Sequence, residues 1–271
     1  MTKYLKRYNL KKKNILITGA AGTLGKQFSF ALLESGARVI ITDRNENKIK
    51  KFNNEILKKN KKNNVKFFVM DVSSENSIKN VLKKLDKLKI KIDVLVNNAC
   101  YNPKFSSNSE YNDTSLENFS LANWEQEIRV GLTGSFLCSK IFGSSMKKNK
   151  KKGVIINIGS EFSVMAPDHR MYGKNKFKPV TYPVIKHGIV GLTKYLSTYW
   201  SKYGIRCNAL SPGGVFENQD KNFVKRFKNQ VPLNRMSNKD EYNSTIQFLC
   251  SDASKFLNGH NLVMDGGRTV W

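Results

Sequence analysis

Asn14 to Gly25 reads NILITGAAGTLG: a short strand-like run, Asn14 to Thr18, passes directly into a turn with glycines at Gly19, Gly22 and Gly25, and then into a helical pattern that continues to Ser35. Glycine permits a tight turn and lets the backbone come close to a pyrophosphate, which would rest on the free N–H groups at the helix N-terminus. At a first strand-to-helix junction this spacing points to a dinucleotide, with Gly19, Ala21, Gly22, Thr23, Leu24 and Gly25 around it. The spacing is not that of a P-loop, because Lys26 lacks both the preceding glycine spacing and the following Ser or Thr, and ATP is not the expected ligand.

Outward from this stretch the chain alternates. Strands are expected at Arg38 to Thr42, Val65 to Met70, Ile92 to Val96, Val154 to Ile158, Ile205 to Leu210 and Leu262 to Met264. Helices are expected at Asn45 to Lys62, Ser73 to Leu88, Leu121 to Lys148, Tyr182 to Tyr203 and Lys239 to Ser251. Short β-rich runs separated by helices are repeated β-α-β units around a parallel sheet. The expected fold is therefore α/β, a doubly wound, Rossmann-like three-layer sandwich. Nothing reads as a linker, so residues 1–271 are expected to form a single domain with a basic leader over 1–13. Three connections, Cys100 to Ala122, Glu161 to Thr181 and Gly213 to Asn238, are longer than the fold requires. All follow strands, on the carboxyl edge where open α/β sheets bind ligands.

Lys and Arg number 47 against 21 Asp and Glu, a formal charge of +26, but the lysines are spread along the whole chain and accompany 30 Asn. A solvated basic surface is expected, with no nucleic-acid partner. No apolar run has the length of a membrane span, and the N-terminus lacks a signal-peptide pattern, so a soluble, cytoplasmic protein without membrane association is expected. Cys100, Cys138, Cys207 and Cys250 are widely spaced and read as free thiols. His169, His187 and His260 are not spaced as ligands, so no metal is expected.

Asp43, at the end of the second strand, can accept hydrogen bonds from the adenosine ribose and would repel a 2'-phosphate. This favours NAD(H) over NADP(H), although Arg44 next to it offers the phosphate a guanidinium. Asp71 and Val72 are placed to frame the adenine. Asn97, Asn98 and Ala99 are placed along the cleft floor. Tyr182 and Lys186 fall on one face of a helix start, where a cation beside a phenol lowers its pKa and makes an acid/base group for a carbonyl or alcohol. Ser160 adds a hydroxyl donor on the same sheet edge.

Together the glycine motif Thr18 to Gly25, Asp71, the NNA of Asn97 to Ala99, Ser160, Tyr182 with Lys186, the SPGG of Ser211 to Gly214 and the DGG of Asp265 to Gly267 closely resemble the short-chain dehydrogenase/reductase family, from Lys13 to Gly267. The resemblance implies hydride transfer between a nicotinamide and a hydroxyl or carbonyl carbon. Tyr182 is then the acid/base, Lys186 holds the nicotinamide ribose and tunes Tyr182, and Ser160 positions the reacting oxygen. Pro212 and Gly213 shape the nicotinamide pocket, with Val215 nearby. Two departures stand out. Gly131 replaces the family's relay asparagine, which would leave space for a water, and Cys100 follows NNA where glycine is usual.

The segment between Ser160 and Tyr182 is longer than in ordinary members, and it carries His169, Arg170, Lys174, Lys176 and Lys178, a set suited to a polar or anionic ligand. It and neighbouring stretches resemble a subgroup found with bacterial surface-sugar genes, the flagellin modification protein A type, which implies a sugar-like substrate. The alternatives are a 3-oxoacyl-(acyl-carrier-protein) reductase, which would need an open apolar channel, and a non-catalytic cofactor-binding homologue. Apolar residues on the two long helices, Leu132, Phe136, Ile189, Leu192 and Leu196, together with the resemblance, point to a homo-oligomer, a tetramer.

Overall fold

The computed structural model describes residues 2–58, 64–101, 114–150, 152–172 and 176–271. Seven parallel strands form one sheet in the order β3-β2-β1-β4-β5-β6-β7. They are β1 Asn14–Thr18, β2 Arg38–Asp43, β3 Val65–Val69, β4 Val94–Asn97, β5 Val154–Ile158, β6 Arg206–Pro212 and β7 Asn261–Met264. Side chains alternate across a strand, so Ile15 and Ile17 of β1 face one layer and Leu16 the other. The first layer is α1 (Thr23–Glu34), α2 (Glu46–Lys58) and α9 (Asn243–Cys250), packed through Phe28, Leu32, Phe52, Ile56, Ile246 and Leu249. The second is α3 (Glu75–Lys87), the segments α4 (Leu121–Ile128), α5 (Gly134–Cys138) and α6 (Ser144–Lys148), and α7 (Thr181–Tyr199). This is the three-layer α/β sandwich, and the order of strands reverses between β1 and β4, where such sheets bind ligands.

Some element limits differ from expectation for local reasons. The α3 helix starts at Glu75 because Ser74 is its N-cap, accepting from Ser77 N at 3.2 Å. The α7 helix ends at Tyr199, and Ser201–Tyr203 tightens into a 3-10 turn closed by Gly204 at φ 72°. The long helix is interrupted by two π-helical turns, Arg129–Thr133 and Ser139–Gly143. Between Gly213 and Asn238 lies a helix that the loop assignment missed, α8 (Lys221–Lys228), capped by Asp220. Its Phe227 joins Met171, Val231 and Met236 in a small separate core beneath the connections.

The basic leader is docked rather than detached: Leu10 is fully buried and its N–H donates to Ser35 O at 3.0 Å. Of the apolar residues suggested for subunit contact, Ile189 and Leu196 are buried within the chain, and Leu132 lies against Gly188. Phe136 alone of that set is exposed, with Val184, Tyr195 and Tyr199 exposed on α7. No helix among the described residues is long and apolar enough to cross a membrane.

Candidate active site

The glycine turn is locked to β4. Asn98 Nδ2 donates to Thr18 O and Gly19 O, both at 3.0 Å, while the N–H groups of Asn98 and Ala99 donate to Thr18 Oγ1 at 3.0 Å. Gly19 has φ +59°, and a Cβ there would stand 2.8 Å from Ala99 Cα. A Cβ at Gly25 would meet Gly19 O at 2.5 Å. Glycine is therefore required at both positions, and α1 has Gly22 as its N-cap, with no side chain bonded to its first N–H groups. That bare helix start between two close strands fits a dinucleotide pyrophosphate. Thr23 Oγ1 donates to Glu217, which links α1 to the connection after β6.

Around this turn the remaining residues fall into place. Asp43 ends β2 with Oδ1 accepting from Asn45 N at 3.0 Å, and Arg44 lies with its guanidinium 5.7 Å from the Tyr101 ring centroid. Asp71 accepts from the N–H and hydroxyl of Ser73 at 2.9 and 2.7 Å. A cavity of about 780 Å³ is lined by Arg44, Asp71, Ser73, Trp124 and Arg129. Val72 is buried against Gly134, where a Cβ would stand 2.8 Å from Val72 Cγ2. Pro212 ends β6. Gly213 packs so tightly on Asp265 that a Cβ would approach its Cα to 2.7 Å, and Val215 pairs with Ser237 in an isolated bridge.

At the other end of the cleft, Ser160 follows β5 and Tyr182 opens α7. The Ser160 side chain lies close enough to bear on the protonation of the phenol, and the Tyr182 ring meets Phe162 edge-on at 6.0 Å. Lys186, one helical turn on, is buried; its Nζ donates to Ile158 O at 2.9 Å and stands 5.4 Å from the Tyr182 ring centroid. The expected lowering of the phenol pKa is overturned here. Burial pushes Tyr182 above its ordinary value, the nearby Cys100 thiol adds to the rise, and the Ser160 side chain opposes it. Lys186 is held in place by its bond to the Ile158 carbonyl.

Comparison with known proteins agrees with this fold. The family model described as "Enoyl-(Acyl carrier protein) reductase" matches residues 19–269. The chain is 30% identical to a short chain dehydrogenase from Leptospira borgpetersenii solved with bound NAD+, covering 100% of this chain and 97% of that one at a TM-score of 0.86. The chain belongs to the short-chain dehydrogenase/reductase family. Among its relatives, this dehydrogenase/reductase is 28% identical to a gluconate 5-dehydrogenase from Burkholderia cenocepacia solved with NADP and tartrate, covering 98% and 99% of the two chains at a TM-score of 0.85. It is also 29% identical to a probable 2,4-dienoyl-CoA reductase of Bacillus subtilis, over 96% of this chain and 97% of the relative. The protein is an NAD(P)-dependent oxidoreductase for hydroxyl or carbonyl substrates.

Within the dehydrogenase/reductase frame, one departure has a packing cause. A Cβ at Gly131 would stand 2.8 Å from Ile185 Cγ2, and the Gly131 carbonyl accepts from Ser135 Oγ at 2.8 Å. Ile185 therefore fills the volume expected to hold a water. Cys100 is half-buried, with Sγ directed to Tyr101 O at 3.4 Å.

Sequence reasoning missed a charged group beside the site. Glu161, next to Ser160, is paired with Arg268 in the interior, both nearly inaccessible to solvent. Arg268 also donates to Gln230 Oε1 at 2.7 Å and lies over the Phe162 and Phe227 rings at 5.5 and 4.7 Å. Burial pushes the Glu161 carboxyl up to about 7 against the pull of Arg268. Glu127 of α4 is likewise buried and accepts from Thr181. The sequence signal was slight: two ionisable residues directly flanking motifs already recognised, Ser160 and DGG.

Of the basic residues on the long connection, Lys178 reaches Tyr182, with Nζ 3.8 Å from the ring centroid. Arg170 is exposed and paired with Asp168, His169 is exposed against the edge of Phe177, and Lys176 is exposed. Lys174 lies outside the described residues.

Proposed function

We propose that Tyr182, Lys186 and Ser160 carry a reversible oxidoreduction of a hydroxyl or carbonyl carbon on a polar, sugar-like substrate. The observation that carries this reading is the convergence of polar and charged side chains, Ser160, Lys178 and Lys186, on one phenol at the carboxyl edge of the sheet. An acyl chain on a carrier would call for an apolar channel at that point. The gluconate 5-dehydrogenase bound to tartrate supports the same class. Chemistry of the surface-sugar subgroup is the finer form of this reading.

A nicotinamide cofactor, when bound, would supply or accept the hydride. Gly19, Ala21, Gly22, Thr23, Leu24 and Gly25 hold its pyrophosphate end, Asp43 and Arg44 its ribose, Asp71 and Val72 its adenine side, and Asn98 and Ala99 the floor. Pro212, Gly213 and Val215 border the nicotinamide. The half-buried Asp43 carboxylate favours the hydroxyls of NAD(H) over the phosphate of NADP(H). Ser160 donates to the reacting oxygen. Tyr182, whose raised pKa keeps its proton at neutral pH, gives that proton to a carbonyl oxygen on reduction and takes it back on oxidation. Lys186 holds the ribose and stabilises the phenolate once formed. Exposed Phe136, Val184, Tyr195 and Tyr199 on the outer helix faces support assembly as a homo-oligomer, a tetramer.

The test is NADH and NADPH consumption or formation against keto-sugars, polyols, sugar acids, their phosphates and an acyl thioester. Tyr182→Phe should bind cofactor normally and lose about 10²- to 10⁴-fold in kcat, the scale of positioned acid/base catalysis. Wild-type turnover of the thioester alone would replace the substrate class, and an unimpaired Tyr182→Phe would remove Tyr182 from the chemistry.

A further inference from the structure

Arg268 is 2% exposed, and no step of the proton or hydride transfer uses it. Its backbone lies in a turn that the Asp265 carboxylate closes, Oδ1 accepting from Gly267 N at 2.9 Å and Oδ2 from Thr269 N at 2.8 Å. Asp265 is also the residue against which Gly213 packs. From this turn the Arg268 guanidinium reaches three partners at once. It pairs with Glu161, lies over the rings of Phe162 and Phe227 at 5.5 and 4.7 Å, and donates to Gln230 Oε1 at 2.7 Å.

Glu161 and Phe162 are the two residues that follow Ser160, and they belong to the single 3-10 turn Glu161–Ser163 that Ser160 caps. Ser160 Oγ accepts from Phe162 N at 3.3 Å, and Ser160 N donates to Ser163 Oγ at 3.1 Å. A hydroxyl whose oxygen accepts within the turn keeps its proton for another partner, as polarising a substrate oxygen requires. The Phe162 ring in turn meets Tyr182 edge-on at 6.0 Å. Arg268 thus engages the two residues through which both the Ser160 hydroxyl and the Tyr182 ring are held. Stability alone is a poor account of the pair. Among the described residues Glu161 Oε2 and Arg268 Nε have no hydrogen-bond partner, and a buried ion pair is often no more stabilising than apolar side chains of the same volume. What a planar guanidinium adds is a fixed geometry toward a carboxylate and aromatic faces together.

We propose that Arg268 is a positioning residue of the active site: by engaging Glu161 and Phe162 together it fixes the Ser160 hydroxyl and the Tyr182 phenol relative to one another. It takes no part in the proton or hydride transfer itself. The proposal rests on the reading of Ser160 and Tyr182 as the groups that bind and protonate the reacting oxygen.

Arg268→Met alone strips Glu161 of its cation, so the experiment uses two variants of the whole chain that avoid this. Arg268→Met combined with Glu161→Gln removes both charges, and Arg268→Lys keeps the charge without the flat guanidinium. NAD+ affinity reports whether each is folded. On whichever keto-sugar, polyol or sugar acid wild type turns over fastest, both variants should lose about 10- to 100-fold in kcat, the scale of a small misplacement in a site, with KM changed far less. In a Tyr182→Phe background Arg268→Lys should cost much less, because one of the groups it positions is gone. A second arm needs no substrate. With tyrosine carbon-13-labelled at Cζ, the Tyr182 resonance, assigned by its absence from Tyr182→Phe, should be a single line in wild type and should shift or split in both variants. Full kcat in Arg268→Lys overturns the proposal, since charge alone would then suffice. An Arg268→Lys loss of equal size with and without the Tyr182 phenol overturns it, as does a Tyr182 line that stays where it is. An unimpaired Tyr182→Phe instead removes the underlying reading, and the positioning role with it.

Discussion

On the cofactor side of the sheet edge the cleft is shaped by main chain: Gly19 against Ala99, Gly25 against Gly19 O, and Asn98 bonded to the carbonyls of Thr18 and Gly19. On the substrate side it is shaped by charged side chains from distant segments, Glu161 after β5, Arg268 after β7, Glu127 on α4 and Lys178 before α7. Backbone proximity costs little once glycine is present. Buried charge is stable only while each partner is in place. The substrate side should therefore be the half that single substitutions damage most.

The largest stability effect is expected at Arg268. Arg268→Met keeps much of the side-chain volume beside Phe162 and Phe227 but leaves Glu161 without its cation, a change that typically costs about 3 to 5 kcal/mol. Chemical denaturation measures it. Adding Glu161→Gln to Arg268→Met should recover a large part of the loss, because the uncompensated charge is then gone. A cost below about 1 kcal/mol for Arg268→Met would mean that Glu161 is protonated in the native state and that the pair contributes little.

The same contrast explains what could be read from the sequence. The places of Gly19, Gly25, Tyr182 and Lys186 in the fold were legible because local geometry fixes them: a left-handed turn, a close backbone contact, a one-turn spacing on a helix. The seven-stranded sheet was legible because each strand is a short apolar run between helices. The Glu161 to Arg268 pair spans 107 positions and only the fold brings it together. The α8 helix was hidden because its apolar residues, Phe223, Val224 and Phe227, are few among five charged or polar neighbours. Lys178 was one of five basic residues on a connection, and only the fold, which carries its ammonium over the Tyr182 ring, distinguishes it from Lys176.

A smaller effect, of packing alone, is expected where Gly131 meets Ile185. Restoring the family's residue with Gly131→Asn pushes a side chain into Ile185 Cγ2 and Cδ1, which a Cβ would approach to 2.8 and 3.1 Å. Overpacking of this kind costs about 1 to 3 kcal/mol. Ile185→Ala should relieve it, so that the double variant is more stable than Gly131→Asn and provides room for a water beside Lys186. If Gly131→Asn is neutral by thermal denaturation, the first π-helical turn yields more readily than its packing indicates.

The smallest effect, and the one whose sign separates Lys178 from Arg268, is the pH dependence of stability. Burial and Lys186 hold the Lys178 pKa near 8 in the native state, below the 10.5 of a free lysine. Below pH 8 both native and unfolded chains carry the proton, so the full desolvation penalty is charged to the fold. Between about 8 and 10.5 the unfolded chain binds more protons than the native one, and stability contributed by this group rises with pH. Above that range both forms are neutral and the penalty is gone. Lys178→Met should therefore be more stable than wild type at pH 7 by about 1 kcal/mol, the scale of a single stabilising substitution. That advantage should shrink steadily from pH 8 upward in paired urea titrations. A Lys178→Met variant that is less stable than wild type at pH 7 would show that the cation is stabilised by the groups around it, and would place Lys178 with Arg268 among the charges that hold the fold together.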